Sequence, residues 1–269
     1  MPELPEVRTV AKTLREKLLH KKIIDINVIY PKIIEEGSLD IKNLISKSLD
    51  DVSTYGKYLI FKFNDLYLIS HLRMEGKFFI KTPEEKIEKH EHIIFLMNDN
   101  ISLRYHDTRK FGRMFVANDI SKYKGLNKLG LEPFDDKLTA TYLLDYFKNK
   151  KLPIKEGLLD QEIIAGLGNI YANEVLFYAK VNPYKKCEDI TKEEADLIIE
   201  EARMILTKAI KEGGTTIRSY TSSLGVIGHY QDFLMVHKRE GENCKICNEK
   251  ILRVKIGGRS TYYCPKCQK

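Results

Sequence analysis

A chain of 269 residues is long enough for two domains, or one large one, with a substantial buried core. Its composition, 43% hydrophobic and 31% charged, argues against a disordered or membrane protein, and no apolar run approaches the roughly 20 residues that span a bilayer. The excess of 45 basic over 38 acidic residues is concentrated at one end, where the 33 residues from His237 to Lys269 carry nine Lys or Arg against three Glu. A basic C-terminal module points to a polyanion partner, nucleic acid being the commonest, with a solubilising tail as the alternative.

The opening MPELPEVRTV has two acids and no apolar core, which excludes a secretory signal and places the protein in the cytoplasm. Val7, Val10, Leu14 and Leu18 recur at helical spacing over residues 2 to 20, with acids at the start and bases at the end as a helix dipole favours. From Ile24 the period changes to two, with Ile24, Ile26, Val28 and Tyr30 expected on one face. The segment 31 to 50 has no clear period, and a short helix is the expectation there. Strand-like runs follow at 58–63, 66–71, 77–80, 92–97, 101–105 and 113–117, a spacing that predicts an antiparallel sandwich or barrel-like core. Gly130 and Pro133 mark a boundary within 119–136. Beyond it helices are expected at 139–149, 154–165, 168–179 and 192–211. The last opens on a capping box, Thr191 with Glu194, carries an apolar face of Leu197, Ile198, Ala202, Ile205, Leu206, Ala209 and Ile210, and stops at Gly213 and Gly214. Residues 215 to 230, rich in Gly, Ser and Thr, are expected to form a mobile loop.

Cys244 and Cys247, then sixteen residues, then Cys264 and Cys267 form two Cys-x2-Cys pairs that can enclose one tetrahedral ion. Zinc is favoured over iron or two disulfides. Four thiolates leave no open position, so the zinc would be structural, holding a basic hairpin that carries Lys255, Gly257, Gly258 and Arg259. Cys187 is left over as an ordinary thiol. On that hairpin Arg259 either donates to a phosphate or merely follows a Gly-Gly turn. The turn Gly-Leu-Gly-Asn between two helical runs either presents backbone amides to an anion, with Asn169 capping the new helix or donating its amide and Lys155 reinforcing, or is a plain helical corner. At the N-terminus, removal of Met1 would leave Pro2 with a secondary amine, titrating near ~8 if unperturbed and therefore partly nucleophilic. Glu3 beside it could move protons. Alone, that pair is no more than a common helix start.

Combination decides. MPELPEV, GKYL with Lys57, HLRMEGKF, YHDTRKFGRM, the Gly-Leu-Gly-Asn-Ile-Tyr turn and the terminal four-Cys motif resemble, in the same order over essentially the whole chain, the bacterial formamidopyrimidine-DNA glycosylases. The resemblance implies an α+β fold in two domains: an N-terminal antiparallel β-sandwich with flanking helices over 1–130, and a helical, helix-two-turn-helix domain over 131–235. A β-hairpin zinc finger over 236–269 ends the second, with DNA in the cleft between the domains. It implies a monomeric, bifunctional glycosylase and abasic-site lyase of base excision repair, bound to damaged double-stranded DNA in the bacterial nucleoid, with one structural zinc and no membrane partner. The matching residues give Pro2 as nucleophile, Glu3 as acid-base partner, and Lys57 near the lesion and phosphate. His71, Lys155, Asn169 and Arg259 match phosphate contacts, Arg259 being counted with the catalytic group as well. Met74, Arg109 and Phe111 match side chains that fill the space left by an extruded nucleotide, where a thioether and a phenyl ring stack and a guanidinium bonds the orphaned base. Glu75 is a further candidate for the pocket. Leu4, where relatives such as endonuclease VIII commonly have Gly, points to the branch that excises oxidised purines, 8-oxoguanine and formamidopyrimidines, with the 215–230 loop closing over the lesion through residues around Arg218 to Tyr220. The rival readings are a pyrimidine-specific relative of endonuclease VIII and a non-catalytic zinc-ribbon protein that only binds damaged duplex.

Overall fold

The structure, a computed structural model, describes residues 1–215 and 228–269. The chain forms two compact units, one of Met1–Asn127 with Gly213–His229, the other of Lys128–Glu212 with Tyr230–Lys269. No helix among the described residues is long and apolar enough to cross a membrane. The expected contacts of Arg218 to Tyr220 lie outside the described residues.

In the first unit α1 (Leu4–Leu18) has Pro5 in its first turn, which its fixed φ suits, and buries Val7, Val10, Leu14 and Leu18 as their spacing predicts. Two four-stranded antiparallel sheets follow. One has the order β1 (Ile23–Val28), β6 (Glu91–Met97), β7 (Ile101–His106), β5 (Lys77–Lys81); the other β2 (Leu49–Tyr55), β3 (Tyr58–Phe63), β4 (Leu66–His71), β8 (Arg113–Ala117). Inward residues of both sheets and the apolar face of α1 share one core. Phe61 of β3 meets Phe78 of β5 edge-on with ring centroids 5.5 Å apart. The strand expectations hold, with two corrections. Ile24 is 59% exposed because a bulge between Ile23 and Asp25 shifts the alternation by one, giving Ile23 and Ile26 the inward places. The segment 31–50 holds two 3-10 turns, Pro31–Ile33 and Ile41–Leu44, and the start of β2, a strand that the hydrophobic pattern does not announce.

The second unit is helical after the short α2 (Lys124–Asn127) of the first. It contains α3 (Ala140–Phe147), α4 (Ile154–Gly157), α5 (Asn169–Tyr178) and α6 (Lys192–Lys211). Thr191 accepts from the Glu194 amide and Glu194 from the Thr191 amide, the expected capping box. Leu197, expected on the apolar face of α6, is 43% exposed, and Ile199 takes a buried place instead. The helix expected over 154–165 ends at Gly157. Beyond it Ile163, Ile164, Ala165 and Leu167 are all buried, a run no helical face could hide. The Gln161 side chain replaces helical bonds there, donating to the Leu159 and Leu167 carbonyls and accepting from the Gly166 amide. The unit closes on a hairpin, β9 (Leu252–Ile256) and β10 (Arg259–Tyr263), turned by Gly257 and Gly258 at φ 54° and 75°, where only glycine sits without strain.

Candidate active site

Pro2 is buried immediately ahead of α1. With Met1 attached its nitrogen is a tertiary amide and cannot act as a nucleophile. The α-amino group of Met1 is pushed below 8.0 by burial, opposed by the nearby charges of Glu3, Glu6 and Glu75 and assisted by Lys57. Glu3 and Lys57 are themselves 3% and 6% exposed. The Met1 amine thus sits partly desolvated among carboxylates and one ammonium, next to the buried Pro2.

Glu6, which no motif singles out, organises this end. One carboxylate oxygen accepts from the Glu3 amide at 2.9 Å, and the other from the Thr215 amide and hydroxyl at 2.7 and 3.1 Å. Its sequence signal is a carboxylate three residues after the helix cap. Nothing local indicates the second partner, 209 residues away.

His71 ends β4, its ring edge-on to Tyr58 at 4.5 Å. Its Nδ1 accepts from the Arg73 amide at 2.9 Å, so the proton is on Nε2. Burial, then the charges of Arg73 and Lys57, push its pKa to about 3, which makes it a neutral donor. Two exposed loops follow. Met74, 38% exposed, sits in a turn where Arg73 is at φ 52°, and the Gly76 amide donates to the Leu72 carbonyl. Phe111, 47% exposed, sits in the loop 107–112 with the Arg109 guanidinium 4.7 Å over its ring. The Asp107 carboxylate, fully buried, accepts from the Arg109 and Gly112 amides at 3.0 and 2.8 Å and shapes that loop. Glu75 accepts from the Thr108 hydroxyl across to it.

In the second unit Lys155, Asn169 and Arg259 gather around the start of α5 and the hairpin. The Lys155 ammonium is enclosed, donating to the Asn169 carbonyl at 3.1 Å and to Asn173 Oδ1 at 2.6 Å. Asn169 is not the cap of α5: Gly168 holds that place without a side-chain bond, and the Asn169 amide donates to the Ser260 carbonyl of β10 at 2.9 Å. Arg259 is exposed at the start of β10. Gly257 also allows close approach, since a Cβ there would come within 2.5 Å of the Glu156 carboxylate. Two further residues of α5, which carry no sequence signal of their own, brace this region. Asn173 donates to His237 Nδ1 at 2.8 Å; Glu174, fully buried, accepts from the Met235, Val236 and His237 amides at 2.7, 3.0 and 2.8 Å. Burial pushes the Glu174 carboxyl up against the opposing pull of those three donors.

Cys244, Cys247, Cys264 and Cys267 bring their four sulfurs within 4.8 Å of one another, with Cys247 to Cys264 at 3.4 Å and Cys244 to Cys267 at 3.9 Å. Sulfurs at ~2.3 Å from a tetrahedral zinc lie ~3.8 Å apart, so the set fits one structural zinc and no other ligand. Cys187 is buried elsewhere, its thiol pushed up to about 11 by burial.

Three family models match in order: the formamidopyrimidine-DNA glycosylase N-terminal domain over residues 1–114, its H2TH domain over 129–221, and the zinc finger found in FPG and IleRS over 241–269. The formamidopyrimidine-DNA glycosylase of Ligilactobacillus salivarius is 44% identical over 100% of this chain and 99% of its own, and that of Listeria innocua 41% identical over 100% of both. Among solved structures, a point mutant of the Lactococcus lactis FPG in complex with Fapy-dG containing DNA superposes with a TM-score of 0.93 at 38% identity over 100% of both chains. The Lactococcus lactis Fpg with abasic site containing DNA gives 0.92 at 38% identity over 99% of both. Three models matched in order along the chain, the last over the thiol cluster, and relatives matched from end to end leave one conclusion: the chain belongs to the formamidopyrimidine-DNA glycosylase family.

Proposed function

We propose that the chain is a monomeric DNA glycosylase and abasic-site lyase that excises oxidised purines, 8-oxoguanine and formamidopyrimidines, from double-stranded DNA. The observation that carries the reading is the N-terminal end, where Pro2 is buried and the adjoining Met1 α-amino group has its pKa lowered by burial amid the charges of Glu3, Glu6, Lys57 and Glu75. The solved relatives held Fapy-dG or an abasic site in DNA, which are the substrate and the intermediate of such a reaction.

Once Met1 is removed, the Pro2 amine attacks the anomeric carbon of the extruded nucleotide. The glycosidic bond breaks, the base leaves with a proton from water, and Glu3 takes the proton that the Pro2 nitrogen gives up. Glu3 delivers the proton that opens the sugar ring, and the nitrogen lone pair completes an iminium. The iminium acidifies the neighbouring carbon, whose proton loss expels the 3′ phosphate. A second elimination expels the 5′ phosphate and leaves a one-nucleotide gap. His71, Lys57 and, in the second unit, Lys155, Asn169 and Arg259 hold phosphates, Lys155 through the α5 turn it braces. Met74, Arg109 and Phe111 occupy the vacated stack. The four-cysteine zinc holds the hairpin that presents Arg259. The work is done in the cytoplasm, on the nucleoid.

Borohydride reduction of the reaction with an 8-oxoguanine:cytosine duplex tests this directly. A covalent protein–DNA adduct is expected from the processed protein and none from a form that retains Met1. Binding without any adduct would leave a DNA-recognition protein, and faster trapping on thymine glycol than on 8-oxoguanine would move the chain to the pyrimidine-specific branch.

A further inference from the structure

The two loops that carry Met74 and the pair Arg109 and Phe111 come from different parts of the first unit, yet both rest on one atom. Tyr105, fully buried on β7, has its ring against Phe78 at 5.3 Å and its hydroxyl at the floor of both loops. A Cβ on Gly76, in the Met74 turn, would lie 2.4 Å from that hydroxyl oxygen; one on Gly112, at the end of the other loop, would lie 1.6 Å from it. Tyr105 reaches between the two glycines, and at Gly76 the Leu72 carbonyl oxygen, 2.6 Å from such a Cβ, closes the space as well. The same hydroxyl donates to the Asp107 carboxylate at 3.3 Å, the group that shapes the 107–112 loop through the Arg109 and Gly112 amides. Nearer the surface, the Thr108 hydroxyl and the Glu75 carboxylate tie the loops together again.

We propose that Tyr105 is a positioning residue that couples the two loops, so that Met74, Arg109 and Phe111 enter the duplex as one rigid unit. The inference rests on the proposed glycosylase reading. A void in a base stack has a fixed shape, and side chains on loops that move independently would meet it in many wrong arrangements. A hydroxyl wedged against two glycine backbones and bonded to the carboxylate of one loop removes that freedom without touching DNA itself.

Tyr105→Phe removes the wedge atom and keeps the ring. Excision of 8-oxoguanine from duplex is expected to fall about tenfold, in line with the cost of misplacing groups by a fraction of an ångström. Its dependence on the opposite base should weaken, because Arg109 no longer reads that base from a fixed position. Borohydride trapping on a single-stranded oligonucleotide with a preformed abasic site needs no void to be filled and should stay at the wild-type rate, even though the melting temperature falls with the lost bond to the buried Asp107 carboxylate. Gly112→Ala should be worse than Tyr105→Phe, since its methyl group collides with the hydroxyl. The double variant should recover part of that loss, whereas two independent structural defects would add. If wild-type protein traps neither substrate, the glycosylase reading fails and takes the inference with it. If it traps both, and Tyr105→Phe excises from duplex at the wild-type rate with unchanged opposite-base preference, the coupling role alone is overturned.

Discussion

His71 and His237 are both held neutral by burial, and each has its Nδ1 occupied by an amide donor, Arg73 in one case and Asn173 in the other. Each folded pKa, about 3, lies below the ordinary 6.5, so protonation favours the unfolded chain. Their contribution is complete above pH 6.5 and is lost progressively as the pH falls from there toward 3. At about pH 5 each should cost on the order of 2 kcal/mol, read as the difference between urea midpoints at pH 7 and 5. His71→Gln should shrink that difference, and an unchanged gap would show that His71 titrates normally. Residue types were the most legible part of the site. The four cysteines are recognisable because metal ligands demand particular atoms at a particular spacing, whereas Pro2, Glu3 and Lys57 entered only through motifs taken in combination, and their roles remain proposals. Glu6, Tyr105 and Asp107 were not legible, because a capping acid, a core aromatic and a loop aspartate look the same whether or not they hold a site together.

Periodicity located α1, α3 and α6, each with one buried face, whereas α5 buries every residue from Ile170 to Phe177 and β3 and β6 nearly all of theirs, so these read as apolar runs. It failed where burial was not periodic. The bulge in β1 exchanges one inward isoleucine for another, and the run after α4 buries neighbouring residues by using the Gln161 side chain in place of helical bonds. The stop of α6 was legible as Gly213 and Gly214, both at positive φ, 74° and 77°. The sequence did not show that a Cβ on Gly214 would fall 2.7 Å from the Glu6 carboxylate. Gly214→Ala meets both the left-handed backbone and that contact, and it should lose at least about 1–2 kcal/mol in chemical denaturation. A neutral result would mean that the Glu6 clamp on Thr215 yields easily.

At the scale of the molecule, the zinc cluster is continuous with the helical core. Cys244 and Cys264 pack with Phe177 of α5, Val236 and Ile251 in one apolar cluster. Removing the metal therefore strips the hairpin of its staple and loosens apolar contacts that reach α5. One zinc per chain is expected by elemental analysis. Cys264→Ser should lower both the zinc content and the protection of the 236–269 amides from hydrogen exchange, because metal binding at such sites is coupled to folding. A variant without zinc that kept full protection would contradict a structural role. The division into two units was only partly legible, since the change of period marks where the first sheet ends but not that the first unit takes back Gly213–His229.

That return has a consequence for synthesis. Domains generally fold in order as they leave the ribosome, the N-terminal one first. Here the first unit must wait for residues made after the whole run from Lys128 to Glu212, because Glu6 finds its second set of donors only at Thr215. The Glu6 clamp next to the proposed nucleophile Pro2 therefore stays unfinished until about four-fifths of the protein has emerged. The proposed nucleophile is the first part made, and the Glu6 clamp beside it is among the last to form.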